Sequence, residues 1–327
     1  MRILHYRPNA SHPGHGTDSL GRIVDNLMWG QKKLGHDIFF YNEDVGTDWN
    51  LMSNICQRAH VFNPEEYDIV NFHTDIEDPS VDFRKKKFVR TLHWAIVEPW
   101  TTQEMQENLY TTVGISRYAM QHNDLWQQGQ QLFVHNTIML SDEDKVSIFN
   151  NVEEKEDYYI WIGGTDWFQQ KGLDAAVRIA KFLNLNLRIY GSGKLKEPID
   201  FIKDNLSDRI TYHGLIEDDH EKYKVMAKSQ GLLYPTLIAD GGPTVVIEAQ
   251  CCGCPVFAYD HSSFPELVLT DTLSPMHHYQ QFMRNIAKAR LRIEDFRDLA
   301  MRAQTMFSPL EAAKKYIQIY ENILKYA

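Results

Sequence analysis

Short apolar strands alternate with amphipathic helices along almost the whole chain of 327 residues, and this alternation limits the fold most sharply. Ile3–Tyr6 reads as a strand. Leu20, Ile23, Val24, Leu27, Met28 and Leu34 then recur near the helical period, and Gly35 ends that helix before a second strand, Asp37–Tyr41. Ile69–Phe72, Phe88–His93, Thr112–Ile115 and Gln131–Val134 continue the strand series, with helices expected around 49–60, 102–109 and 117–127. The acidic stretch 141–157 lacks sustained periodicity and reads as a linker. The pattern then restarts with strands at Tyr158–Ile162, Leu187–Tyr190, Ile210–His213, Gly231–Tyr234 and Val256–Tyr259. Helices are expected at 172–183, 195–205, 219–228 and 244–252, and again at 277–291, 294–305 and 309–325. Strands separated by helices predict parallel sheets joined by crossover connections.

A chain of this length suits two domains of about 150 residues each. The expected division is an N-terminal Rossmann-like domain over 1–145, a second over 146–308, and a last helix over 309–327 packing back on the first. The formal net charge of −10 gives no general attraction to nucleic acid. No apolar run reaches the length of a signal peptide or a membrane span, so the expected compartment is the cytoplasm. Arg84, Lys85, Lys86 and Lys87, with Arg90, form the one basic run. It reads either as a solvated entry to a strand or as a weak peripheral contact with anionic headgroups at the inner face of a membrane. Cys251, Cys252 and Cys254 lack a second ligand group at finger-like spacing and read as small packed thiols.

The chemistry concentrates in Pro235–Val256, PTLIADGGPTVVIEAQCCGCPV. A strand ends, a Gly-Gly-Pro loop follows, and a helix opens at Thr244. A helix start offers unpaired N–H groups and the positive dipole end, which suits phosphate. Gly241 and Gly242 let a ligand approach the backbone, Glu248 stands one turn inside and suits a ribose diol, and Asp240 precedes the loop. Taken alone, the segment reads as a capped helix with a solvent-exposed Glu.

Its surroundings change that reading. Asp240, seven residues, Glu248-Ala249 and then Gly253-Cys254-Pro255-Val256 together resemble the signature of retaining glycosyltransferase family 4, whose members have the glycosyltransferase-B fold. Upstream, WIGGTDWFQQKGLDAAVRIA resembles the glycine and lysine segment that opens that family's second domain. RIYGSG, YHGLIEDD and FPELV follow in the family's order, and LGHDIFFY, TLHW, VGIS and VHNTI correspond in the first half.

The resemblance implies two doubly wound domains facing across a cleft and a nucleotide-diphosphate sugar as co-substrate. It implies no cofactor and no metal. The acceptor would be a glycan, a lipid-linked sugar or another hydroxyl. Lys171 would balance the diphosphate, Asp240 would contact the donor sugar, and His93 would lie near that sugar. Gly16, with Gly14 as the alternative register, would admit the diphosphate in the first domain. Gly164, Thr165, Ile216 (beside Leu215), Gly241, Gly242, Pro243, Thr244 and Glu248 would line the donor, and Glu266 is a weaker candidate. Pro243 has no N–H to give. Asp75, Glu77 and Asp78 read as a surface loop rather than a metal site.

Two positions depart from the family pattern. Thr165 stands where an Arg is usual, so a second diphosphate cation would have to come from elsewhere, Arg117 and Lys194 being the options. Asp240 stands where Glu is usual. These departures keep open a second reading, a sugar-nucleotide-binding protein with little or no transferase activity.

Overall fold

The computed structural model describes residues 1–9, 18–44, 46–74, 87–93, 111–122, 131–289 and 292–326. The chain divides into two compact units. One gathers Met1–Met139, Asp240–Gly242 and Phe307–Ala327, and the other Leu140–Ala239 and Pro243–Met306.

In the first unit, strands β1 (Arg2–Tyr6), β2 (Asp37–Tyr41), β3 (Gln57–Ala59), β4 (Ile69–Phe72), β5 (Phe88–Leu92) and β6 (Thr111–Gly114) form one sheet in the order 3-2-1-4-5-6. All pairings are parallel, with Ile3 beside Ile38 and Ile69. Every residue of β4 and β5 is buried, as expected of strands covered on both faces. Helix α1 (Ser19–Lys33) follows β1 and starts at Asp18, whose carboxylate accepts from the Gly21 N–H at 2.9 Å. The region expected to be helical over 49–60 holds only the single turn α2 (Trp49–Met52), because the chain returns to the sheet as β3. The strand expected at 131–134 is reduced to one bridge between Phe133 and Gly114. Helix α3 (Arg117–His122) carries the start of the helix expected at 117–127. The helix expected at 102–109, the acidic loop with Asp75, Glu77 and Asp78, and Arg84, Lys85 and Lys86 lie outside the described residues. The Lys87 ammonium donates to Pro64 O at 3.0 Å and Glu65 Oε2 at 3.2 Å.

The second unit opens with α4 (Asp142–Val152), within the stretch read as a linker. Ser141 and Asp144 form a reciprocal capping box, and the acidic residues of the first turn face the positive end of the helix dipole. Strands β7 (Tyr159–Ile162), β8 (Leu187–Tyr190), β9 (Ile210–Tyr212), β10 (Gly231–Tyr234) and β11 (Val256–Ala258) form a parallel sheet in the order 11-10-7-8-9. Between the strands run α5 (Leu173–Leu183), α6 (Lys196–Asn205), α7 (Asp219–Lys228) and α8 (Thr244–Cys251). Leu173, Ala176, Val177 and Ala180 recur at helical spacing and give α5 its buried face. The short α9 (Phe264–Leu267), α10 (Tyr279–Lys288) and α11 (Ile293–Met306) complete this unit.

The last helix, α12 (Pro309–Tyr326), belongs to the first unit and packs on α1. Ala312, Ala313, Tyr316, Ile317 and Tyr320 form its buried face. The helices approach so closely that a Cβ on Gly30 would lie 2.5 Å from Pro309 O. Among the described residues, no helix is long and apolar enough to cross a membrane.

Candidate functional site

In each sheet the strand order reverses beside the first strand, between β1 and β4 in one unit and between β7 and β10 in the other. In open parallel sheets, ligands bind beyond the carboxyl ends of the strands at that reversal.

In the second unit, β7 leads into Gly163 and Gly164, and Thr165 begins a single 3-10 turn. Two close approaches fix this region. Gly191, after β8, has φ +142°, and a Cβ there would meet Gly163 O at 1.9 Å. Gly172 has φ +73°, and a Cβ there would meet Pro235 O at 2.2 Å, which ties the start of α5 to the end of β10. Lys171 sits immediately before that glycine. Its backbone O accepts from Trp161 Nε1 at 3.2 Å, while its half-buried side chain has an ammonium with no partner among the described residues.

Thr165 is 1% exposed, and its amide donates to Ser192 O at 3.0 Å. A Cβ on Gly193 would lie 2.3 Å from its hydroxyl, so the side chain is enclosed under the glycine loop. Asp166 beside it accepts from the amides of Lys194 and Leu195, which leaves the Lys194 side chain exposed. Ile216 is half-buried and Leu215 exposed, after Gly214 at φ +74°.

The loop after β10 ends at Pro243, which gives α8 no side-chain cap. The first turn of α8 is therefore open to an outside acceptor. Glu248 is 3% exposed, and its Oε1 lies 2.9 Å from Lys222 Nζ on α7. Lys222 also donates to Asp219. A buried carboxylate needs such a cation, since an unpaired charge at that depth would be strongly unfavourable. Glu248 is thus buried and paired, unlike the solvent-exposed Glu of a merely capped helix. Lys222 was not legible beforehand, because a lysine in the amphipathic segment DHEKYKVMAK carries no mark of burial. Glu266 is half-buried in α9. Cys251, Cys252 and Cys254 are all buried, and burial pushes their thiols upward, away from the reactive thiolate.

In the first unit, Asp240 Oδ1 accepts from the Gly242 amide at 2.9 Å, and Gly242 O accepts from Asn136 Nδ2 at 2.8 Å. A Cβ on Gly242 would reach Asn136 Nδ2 at 2.9 Å, so glycine fits the turn. His93 follows β5, and its Nε2 lies 2.9 Å from His73 Nδ1. His73 Nε2 lies 2.9 Å from His5 Nδ1, and His5 Nε2 lies 2.7 Å from Gln31 Oε1. The three rings thus stand at the carboxyl ends of the neighbouring strands β1, β4 and β5, beside the reversal point. The resemblance singles out His93, although the segments RILHY and IVNFH also place a histidine near the carboxyl ends of their strands. Arg117 lies with its guanidinium carbon 5.6 Å from the Phe133 ring centre. Gly14 and Gly16 lie outside the described residues.

This architecture matches solved proteins along its full length. The AviGT4 glycosyltransferase involved in avilamycin A biosynthesis superposes with a TM-score of 0.70 at 18% identity, covering 100% of this chain and 99% of that one. Sucrose-phosphate synthase from Thermosynechococcus elongatus gives 0.69 at 15%, covering 100% of both. The fold is GT-B. Anabaena Alr3699/HepE, solved in complex with UDP-glucose, matches this GT-B chain with a TM-score of 0.68 at 12% identity, over 98% of this chain and 100% of that one. The family model described as glycosyl transferases group 1 matches residues 156–289, which lie in the second unit except for Asp240–Gly242. No curated protein matches the chain by sequence.

Proposed function

We propose that the protein is a retaining glycosyltransferase that moves a sugar from a nucleotide-diphosphate sugar to a hydroxyl of a glycan or lipid-linked acceptor. One joint observation carries this reading. The group 1 match spans the segment in which Lys171 and Glu248 follow β7 and β10, the two strands at the reversal point. In this reading Glu248, held by Lys222, accepts from the ribose hydroxyls. The open first turn of α8, with Gly241, Gly242 and Thr244, receives the diphosphate, and Gly164 and Ile216 border the nucleoside. The Lys171 ammonium stabilises the charge that develops on the leaving diphosphate, so the leaving group needs no metal ion. Asp240 and His93 contact the donor sugar.

The bond from the anomeric carbon to the diphosphate oxygen breaks as the acceptor oxygen bonds to the same face. The acceptor proton passes to the departing diphosphate oxygen. The test is to measure nucleoside diphosphate release from a panel of nucleotide sugars with an acceptor pool, beginning with UDP-hexoses, since a structural neighbour is solved with UDP-glucose.

A second reading, a sugar-nucleotide-binding protein with little transferase activity, is favoured by the enclosure of Thr165 where relatives usually carry a cation. Saturable donor binding without release of nucleoside diphosphate in that assay would select it.

A further inference from the structure

The histidine chain of the first unit ends in a buried acceptor that no described residue uses. His93 Nδ1 is buried and has no hydrogen-bond partner among the described residues. His93 lines a small cavity of about 20 Å³ together with His73, Thr91, His135, Asn136 and Thr137. Two of those residues also carry a buried polar atom without a partner, Asn136 Oδ1 and Thr137 Oγ1. A cavity of roughly 10–15 Å³ accommodates one water-sized oxygen, so the space suits a single oxygen atom.

Proton counting fixes what the last ring offers. Each neutral imidazole carries one N–H. An amide oxygen only accepts, so His5 keeps its proton on Nε2, toward Gln31 Oε1, and presents Nδ1 as an acceptor. His73 must then donate from Nε2, which leaves its own Nδ1 to accept from His93 Nε2–H. The proton of His93 is thereby committed, and Nδ1 holds a lone pair. Burial keeps His5 and His93 neutral near pH 7, with His5 lowered to about 4 and His93 to about 3. The amide at the far end is itself held, because Gln31 Nε2 donates to Tyr320 OH at 3.3 Å and that hydroxyl also accepts from Asn71 Nδ2 at 2.8 Å.

We propose that Gln31, His5 and His73 are positioning residues that lock His93 in the Nε2–H tautomer, so that its Nδ1 accepts a hydrogen bond from one hydroxylic oxygen in the cavity shared with Asn136 and Thr137. A water there donates its two protons to His93 Nδ1 and Asn136 Oδ1 and accepts one from Thr137 Oγ1, which satisfies all three atoms at once; a sugar hydroxyl, with one proton, donates to His93 Nδ1 and accepts from Thr137 Oγ1. Asn136 is already oriented for this, since its Nδ2 is committed to Gly242 O. The oxygen is either a bound water or a hydroxyl of the transferred sugar, the latter resting on the proposed function.

Two-bond proton–nitrogen correlation spectra of the ¹⁵N-histidine-labelled protein at neutral pH test this directly. The expected result is three Nε2–H rings, with His93 Nδ1 in the unprotonated range. A protonated His93 Nδ1 in the wild-type spectrum would mean that the Gln31 amide is turned about and the chain runs the other way, which overturns the proposal. Gln31→Met removes the fixed acceptor and should average the His93 nitrogens between tautomers; an unchanged His93 pattern in a folded variant also overturns it. Added UDP-glucose distinguishes the two sources: a move of the Nδ1 resonance that UDP alone does not cause identifies the sugar hydroxyl, and no move identifies water. The tautomer is read without any donor, so failure of the glycosyltransferase assay leaves this result standing, and the reverse also holds.

Discussion

Lys222 on α7 holds Glu248 on α8 through a buried ion pair of 2.9 Å, so removing the lysine takes its cation from a carboxylate that is 3% exposed. Removing one partner of a buried pair costs about 3 kcal/mol or more. Lys222→Met should therefore lower the melting temperature clearly. It should also weaken nucleotide-sugar affinity, because Glu248 loses its orientation although the lysine is not itself placed against the ligand. A Lys222→Met protein with wild-type melting temperature and affinity would contradict this.

Lys171 stands apart from such pairs. Its ammonium has no partner among the described residues, so Lys171→Ala removes charge without leaving a stranded acid. The expected outcome is unchanged stability, near-normal donor binding by calorimetry and a fall in turnover of about 100-fold, the size typical for losing one group that stabilises developing charge.

Thr165→Arg tests whether a second cation at this position is merely missing or sterically refused. The threonine is enclosed beneath Gly193, so the larger side chain should cost about 1–3 kcal/mol through overpacking and should not raise turnover. A stable variant with faster turnover would show that the site had room for a second cation.

Stability should also fall in mild acid. The ordinary histidine value is 6.5, and burial lowers His5 to about 4 in the folded protein. The unfolded chain therefore binds more protons between those values, and stability declines as pH drops from about 6.5 toward 4. At about 1.4 kcal/mol per unit, His5 alone accounts for a loss on the order of 3 kcal/mol. Denaturant melts across this range check it, and His5→Asn should flatten the dependence.

The alternation of apolar strands and periodic helices was sufficient to read both parallel sheets, because buried strands such as IVNF and GLLY are apolar enough to stand out. Local chemistry that overrides periodicity was harder to see. The helix at Asp142–Val152 owes its start to the Ser141 and Asp144 box, and the single turn at Trp49–Met52 gives way to an edge strand formed by pairing with β2. At the candidate site, Glu248 could be named from its place one turn inside the helix start, and Lys171 from the resemblance. Lys222, Gln31, His5 and His73 could not, since each acts through a partner that is distant in sequence: Lys222 is 26 residues from Glu248, and His5 is 68 residues from His73.

The most direct test of the central claim is the anomeric configuration of the product formed when nucleotide-diphosphate sugars are incubated with the protein and a hydroxyl acceptor pool, followed by NMR. The expected result is release of nucleoside diphosphate with a glycoside that keeps the donor's anomeric configuration, both formed about 100-fold more slowly by Lys171→Ala. An inverted product, or a folded protein that neither binds nor consumes any nucleotide sugar, would contradict it.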